Sequence, residues 1–338
     1  MSAHNWTRRL FIGAVAIALL YTTACAYMWA TQRDHVFEPE LLLQTTPDRL
    51  GMKFEELRIP VGSGADQGEL YGWWVPAEPQ FRHVTDEATS HSTRPANNAR
   101  QVAGYGAASR LRELLPSRAA ITGESVSERS EAALNAPTIL YLHGNYRNIG
   151  NNLEHTLRLH KLGFNVLLPD YRGFGKSSGG KPNEAKVYED AEAAWQYLLK
   201  QRGVQPGQAF IYGHSLGGAI AIDLAVHHAE AAGLITESTF TSMVEMGKLS
   251  YAYLPVDWIL NQRFESLQKI AALKVPVLLI HGTWDKTVPV KMAQQLYATA
   301  QQPKTLILIE GGEHNNSAAV GWTEYRDAMT AFVKQYAH

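Results

Sequence analysis

From Thr138 onward the chain alternates short apolar runs with longer amphipathic ones, and this alternation restricts the fold more than any other feature. Thr138–Leu142, Asn165–Pro169, Ala209–Tyr212, Gly233–Thr236, Val275–Ile280 and Lys304–Ile309 read as strands. Asn151–Leu162, Ala185–Lys200, Leu216–His228, Lys291–Ala300 and Glu324–Tyr336 read as helices. Short, almost wholly apolar strand runs are expected where both sheet faces are covered. Strands alternating with helices predict an α/β fold, a mostly parallel central sheet with helices on both faces. Upstream, Glu56–Val61 and Glu69–Val75 flank the turn sequence Gly62-Ser63-Gly64-Ala65-Asp66 and are expected to pair as a hairpin.

Two segments fall outside this pattern. Residues 84–136 are polar, with Tyr105 as their one aromatic, and read as an inserted surface segment with one helix near Ala108–Leu115. A lid over a site is the functional alternative. Leu10–Ala30 is almost wholly apolar and follows Arg8 and Arg9. About 20 helical residues span the roughly 30 Å of a hydrocarbon core. Residues 1–33 are therefore expected to be a signal anchor or export signal, and 34–338 the main domain. Three readings compete for the first segment. It is an uncleaved anchor, a cleaved signal with twin arginines and small residues at Ala24-Cys25-Ala26, or a lipoprotein leader acylated at Cys25. The positive-inside bias sends the domain across the membrane, periplasmic in a bacterium, or secreted if cleavage occurs.

Composition narrows the partners. Lys plus Arg number 31 and Asp plus Glu 32, a formal net charge of −1, so no nucleic-acid partner is expected. Cys25 is the single cysteine, which leaves the rest of the chain no thiolate nucleophile or thiolate metal site.

The chemistry centres on Gly213-His214-Ser215-Leu216-Gly217. G-x-S-x-G alone recurs by chance. Here a strand precedes it and a helix follows at once, the setting of a nucleophile on a tight turn with its hydroxyl exposed. Gly213 and Gly217 suit that turn because larger neighbours would collide. A serine hydroxyl needs a general base, and the base needs an orienting acid. Asp285, in His281-Gly282-Thr283-Trp284-Asp285, and His314, in Gly311-Gly312-Glu313-His314, each follow a strand. Parallel strands end on one edge of a sheet, so these loops are expected to meet. Glu237 is the reserve acid. His214 is expected to point away from the nucleophile, and His143 and His281 to orient backbone. The oxyanion donors are expected to be the N–H of Leu216 and that of Asn145, with Tyr146 as second choice for the latter. Gly175-Lys176-Ser177 ends like a phosphate-binding loop, but Asp170 stands where that loop needs glycine. Neither G-x-G-x-x-G nor H-E-x-x-H occurs, so no nucleotide, metal or other cofactor is expected.

Together these residues resemble the α/β-hydrolase superfamily, from about Phe54 to the C-terminus outside the 84–136 segment. Leu142–Asn145, Asp170–Ser177, Phe264–Ile270, Pro276–Pro289 and His314-Asn315 resemble one branch of it. That branch holds single-domain, often membrane-anchored serine hydrolases labelled serine-aminopeptidase-like or prolyl-oligopeptidase-like, with acyl-protein thioesterases among its eukaryotic relatives. The resemblance implies a Ser215–His314–Asp285 triad and no cofactor. Asn315 stands where that branch usually has Asp, and Trp284 where a small residue is usual.

The expected function is hydrolysis of a carboxylic ester, thioester or related acyl bond through an acyl-enzyme. The expected substrate is a small-molecule or lipid-like acyl compound, met at a membrane through the N-terminal helix. Thr239–Arg263, with Met243, Met246, Tyr251, Tyr253, Leu254, Pro255, Trp258 and Ile259, reads either as a cap with an apolar pocket wall or as helix core. A serine peptidase and a non-catalytic binding module on the same fold are the alternatives.

Overall fold

The structure, a computed structural model, describes residues 3–78 and 136–338. The segment expected as an insert, with its helix and its alternative role as a lid, lies outside the described residues but for Ala136.

Eight strands form the central sheet. In chain order they are β2 (Glu55–Val61), β3 (Gly68–Val75), β4 (Thr138–Leu142), β6 (Asn165–Pro169), β7 (Ala209–His214), β8 (Gly233–Glu237), β9 (Val277–Gly282) and β10 (Lys304–Ile309). Their spatial order is β10-β9-β8-β7-β4-β6-β3-β2. β2 and β3 form the expected antiparallel hairpin, β3 is antiparallel to β6, and every other pairing is parallel. Every residue of β4, β6, β7, β8 and β9 is buried, which explains why their sequences lack polar alternation.

Helices α2 (Leu153–Lys161) and α10 (Trp322–Tyr336) cover one face; α3 (Glu184–Lys200), α4 (Leu216–His227) and α8 (Val290–Thr299) cover the other. α3 starts where the Asn183 side chain accepts the Lys186 N–H at 2.9 Å, a cap for an otherwise orphan donor. It presents Val187, Ala191, Ala194, Trp195 and Leu198 to the core at helical spacing. Truncating a buried tryptophan such as Trp195 to alanine costs about 3–5 kcal/mol. α4 is apolar all round because it lies between the sheet and other helices.

The chain passes from β4 to β6 on one side, then returns across β4 to β7 and continues the other way. The winding therefore reverses between β4 and β7, and in such sheets ligand sites collect outside the strand ends at that point.

The N-terminal helix α1 runs from Ala3 to Val36, three residues beyond the expected limit of the first segment. Trp6–Val36 is long and apolar enough to cross a membrane. Its threonines return their hydroxyls to the preceding turn, Thr22 to Ala18 O at 3.0 Å, Thr23 to Leu19 O at 2.8 Å and Thr31 to Tyr27 O at 2.8 Å. Such internal bonding is what an apolar medium demands.

The last turns of α1 join the domain. Gln32 is buried; its Nε2 donates to Trp29 O and Ile259 O, and its Oε1 accepts the Asn261 and Gln262 N–H groups. Phe37 packs edge-on against Phe174 and Phe264. Beyond it, β1 (Glu38–Pro39) pairs in parallel with β5 (Tyr146–Arg147) in a two-residue sheet.

Candidate active site

Ser215 follows β7 directly and begins α4, with φ 55° and ψ −120°, a strained conformation for a side chain bearing Cβ. Neighbouring backbone holds it there. The Ser215 N–H donates to Glu237 O at 2.9 Å, and its carbonyl accepts the Thr239 hydroxyl at 2.8 Å. The two flanking glycines are required sterically. A Cβ on Gly213 would lie 2.1 Å from Gly217 O, and one on Gly217 would lie 2.0 Å from Leu142 O.

Asp285 and His314, 29 residues apart in sequence, come from the loops after β9 and β10, whose last residues pair in register as Gly282 and Ile309. His314 Nε2 is 3.0 Å from Ser215 Oγ, and His314 Nδ1 is 2.8 Å from Asp285 Oδ2. The other carboxylate oxygen of Asp285 accepts the N–H groups of Thr287 and Val288 at 2.9 and 2.8 Å. Burial by itself pushes the Asp285 pKa up. The hydrogen bond to His314, that ring's charge, the Val288 N–H and His281 together outweigh it and bring the pKa below its ordinary value. An ionised Asp285 fixes the proton on His314 Nδ1, which leaves Nε2 as acceptor toward the serine hydroxyl.

Glu237, the reserve acid, sits at the end of β8 with its carboxylate engaged elsewhere. It accepts from Arg158 at 3.3 Å, from Ser317 Oγ at 2.8 Å and from the Tyr212 hydroxyl. Burial would raise its pKa, but Arg158, His155, His214 and the Tyr212 hydroxyl reverse the sign and hold it far below the ordinary carboxylate range.

His214 corrects one sequence expectation. Its side chain lines the same cavity as Ser215 and His314, with Nε2 3.0 Å from His314 O. Its ring packs 4.6 Å from His155 and 5.1 Å from His314. Desolvation is the largest influence on it and lowers its pKa to about 4, so the neutral ring donates Nε2–H to that carbonyl. Helical spacing gave no signal for this contact, because it joins residues 100 apart. His143 and His281 do face backbone carbonyls, those of Gly144 and Val288, each at 2.8 Å.

Leu216 and Asn145 line the cavity beside Ser215. Leu216 opens α4, where the first N–H groups have no partner within the helix. Gly144 brings the loop after β4 against the serine, since a Cβ built on it would lie 3.5 Å from Ser215 Cβ. That loop is held from α1's side of the molecule. Glu38 N–H donates to Asn145 O at 3.0 Å, and Asn148 Nδ2 donates to the carbonyls of Glu40 and Leu42.

The cavity measures about 690 Å³. Phe240, Met243, Met246, Leu254, Val256 and Ile259 give it an apolar wall, and Met28, Gln32, His35 and Val36 of α1 contribute a mixed one. Among the described residues its one carboxylate-bearing lining residue is Glu154, which is exposed. No group of three or more His, Cys, Asp or Glu side chains among the described residues is arranged to hold a metal. The Asp170–Ser177 loop is internally braced, with Ser177 Oγ on Asp170 O and Arg172 paired to the buried Asp190 at 2.6 Å.

A serine held at positive φ on a strand-to-helix turn, beside the switch point of this sheet, defines the class of scaffolds on which α/β hydrolases are built. Comparison with known proteins agrees. A family model described as serine aminopeptidase, S33, matches residues 135–269. The Mycobacterium tuberculosis protein Rv2307c is 36% identical over 201 residues, 60% of this chain and 71% of that protein. Human alpha/beta hydrolase domain-containing protein 17B is 32% identical over 203 residues, 59% of this chain and 66% of that protein. The esterase Pf2001 of Pyrococcus furiosus superposes with a TM-score of 0.60 at 18% identity, covering 90% of this chain and 98% of that one. An alpha-beta hydrolase of Vibrio vulnificus gives 0.57 at 19% identity, covering 89% of each chain. The chain belongs to the α/β-hydrolase superfamily.

Proposed function

We propose that this protein is a serine hydrolase that cleaves a carboxylic ester, thioester or related acyl bond through an acyl-enzyme. The observation that carries the reading is the continuous hydrogen-bonded line Ser215 Oγ–His314 Nε2 and His314 Nδ1–Asp285 Oδ2, at 3.0 and 2.8 Å, opening into an apolar cavity.

In this mechanism His314 takes the Ser215 proton as Oγ attacks the acyl carbonyl. The Leu216 and Asn145 N–H groups receive the tetrahedral oxyanion, and losing one such donor costs about 10²–10³ in rate. His314 returns the proton to the leaving oxygen, sulfur or nitrogen. Water then enters, loses a proton to His314 and attacks the acyl carbonyl; the bond to Ser215 Oγ breaks, His314 returns that proton to Oγ, and the acid leaves. Asp285 keeps the imidazole tautomer and stabilises its charged form. The helix α1 holds the protein at a membrane, and residues 34–338 are the hydrolase domain.

A peptidase reading has one point in its favour, the match to a serine aminopeptidase family model over residues 135–269. An aminopeptidase must bind a substrate ammonium group, which calls for a desolvated acidic partner. Among the described residues the cavity offers only the exposed Glu154, a poor candidate, so the ester or thioester reading leads.

The test is fluorophosphonate labelling of the full chain beside Ser215→Ala, followed by turnover of acyl esters and amino-acid anilides. Labelling lost in the variant, with ester turnover exceeding anilide turnover, is expected. A folded wild type that takes no label overturns the reading, and anilide turnover dominating selects the peptidase.

A further inference from the structure

The stretch from the end of α5 (Met243–Ser250) through α6 (Val256–Ile259) carries large apolar side chains on both of its sides. Tyr251, Leu254, Val256 and Ile259 face the cavity. Leu249, Tyr253 and Trp258 alternate with them and are 57, 71 and 89% exposed. Beside them Lys248 Nζ lies 2.9 Å from Glu245 and 3.0 Å from Asp257, a small exposed group of paired charges flanking the apolar side chains.

The same stretch is joined to α1. The Tyr21 hydroxyl donates to Tyr253 O at 3.1 Å, and Cys25 and Met28 pack against Val244, Leu254 and Val256. Gln32 then clamps the Ile259–Gln262 backbone. From Tyr21 to Gln32 is roughly 16 Å along the helix axis. The α5–α6 turn therefore runs beside Tyr21–Gln32 of α1, at the level of its exposed Tyr27 and Trp29. Tyrosine and tryptophan with one apolar and one polar end are the residues of a membrane interface.

We propose that the α5–α6 turn is a second membrane contact beside α1, and that the cavity behind it receives an acyl chain directly from the bilayer. The turn is then the partition between lipid and Ser215. Its inner side packs on the acyl chain and its outer side on the leaflet. The membrane helix is part of the binding site as well as the tether, since Met28, Gln32 and Val36 line the cavity. The acyl-chain half of the proposal rests on Ser215 being an acyl-hydrolase nucleophile; the membrane-contact half does not.

The experiment uses the full chain in phosphatidylcholine nanodiscs. First, Trp258→Cys in a Cys25→Ser background is labelled with an environment-sensitive fluorophore, with Lys334→Cys on α10 as the reference. A blue-shifted, water-shielded signal at position 258 but not at 334 is expected, and equal exposure of both overturns the contact. Second, Tyr253→Asp/Trp258→Asp is compared with wild type on a palmitoyl ester embedded in the nanodisc and on a short soluble ester. Both side chains are exposed and outside the cavity, so the fold and soluble-ester turnover are expected to hold. Turnover of the embedded ester falls roughly tenfold or more if charge expels the turn from the interface. Wild-type turnover of the embedded ester by this variant overturns the route. If wild type hydrolyses neither ester, the proposed function fails and the acyl-chain half with it, while the fluorophore still decides the contact.

Discussion

Two buried carboxylates lie near His314, and they are expected to fail in opposite ways when neutralised. Glu237→Gln keeps the side-chain shape and the backbone carbonyl that accepts the Ser215 N–H. It removes the charge that faces Arg158, whose guanidinium is 3.3 Å away and almost wholly enclosed. Leaving one member of such a pair uncompensated costs about 3–5 kcal/mol. At the roughly 2 °C per kcal/mol expected of a large domain, the melting temperature falls by about 6–10 °C. Because Glu237 is bonded to Tyr212, Ser317 and Arg158, the folded fraction keeps kcat within a few-fold. Asp285→Asn is the reverse. The two backbone N–H groups on Oδ1 still find an acceptor, so the loss of stability is smaller than in Glu237→Gln. The imidazole tautomer is no longer fixed, and kcat drops by about 10³–10⁴. The assay is kcat of an activated ester at 25 °C with thermal unfolding of the same preparations. Loss of kcat without loss of stability in Glu237→Gln, together with near-normal kcat in Asp285→Asn, would refute the assignment of the two carboxylates.

Gly217→Ala drives a methyl group to 2.0 Å from the Leu142 carbonyl, a backbone atom that has no room to yield. No folded protein, or a folded one that takes no fluorophosphonate label, is expected in a labelling gel. His214→Phe keeps the ring but deletes the donor to His314 O, so kcat falls up to about tenfold with KM unchanged. Because His214 is already neutral above a pKa of about 4, the acidic limb of the kcat profile above pH 5 is expected to stay where it is in that variant. The Asp285 carboxyl titrates below its ordinary value when folded, so its ionised form adds stability above the unfolded pKa. That stability is lost as pH falls through the folded pKa, and Asp285→Asn is expected to show a shallower loss of urea stability on acidification below about pH 4. An equal slope in both proteins removes the argument.

The sequence by itself determined the layered α/β architecture, because buried parallel strands and amphipathic helices have local periods that survive without their neighbours. It also marked Ser215, since the two glycines around it answer a steric demand of the turn itself. Asp285 and His314 were legible as loop residues after strands, once parallel strands were known to share an edge. It named Asp285 as the acid beside His314 and kept Glu237 in reserve, since one follows β9 and the other ends β8 on the same edge. The direction of His214 was not readable, nor the partnership of β1 with β5, nor the side of Thr239–Arg263 that faces the cavity. Only the tertiary structure decided that the end of α1 is a wall of the site. Gln32 meets Ile259, Asn261 and Gln262 more than 220 residues away. No local pattern encodes such a contact, because it exists only after folding has brought α1 against the chain that follows β8.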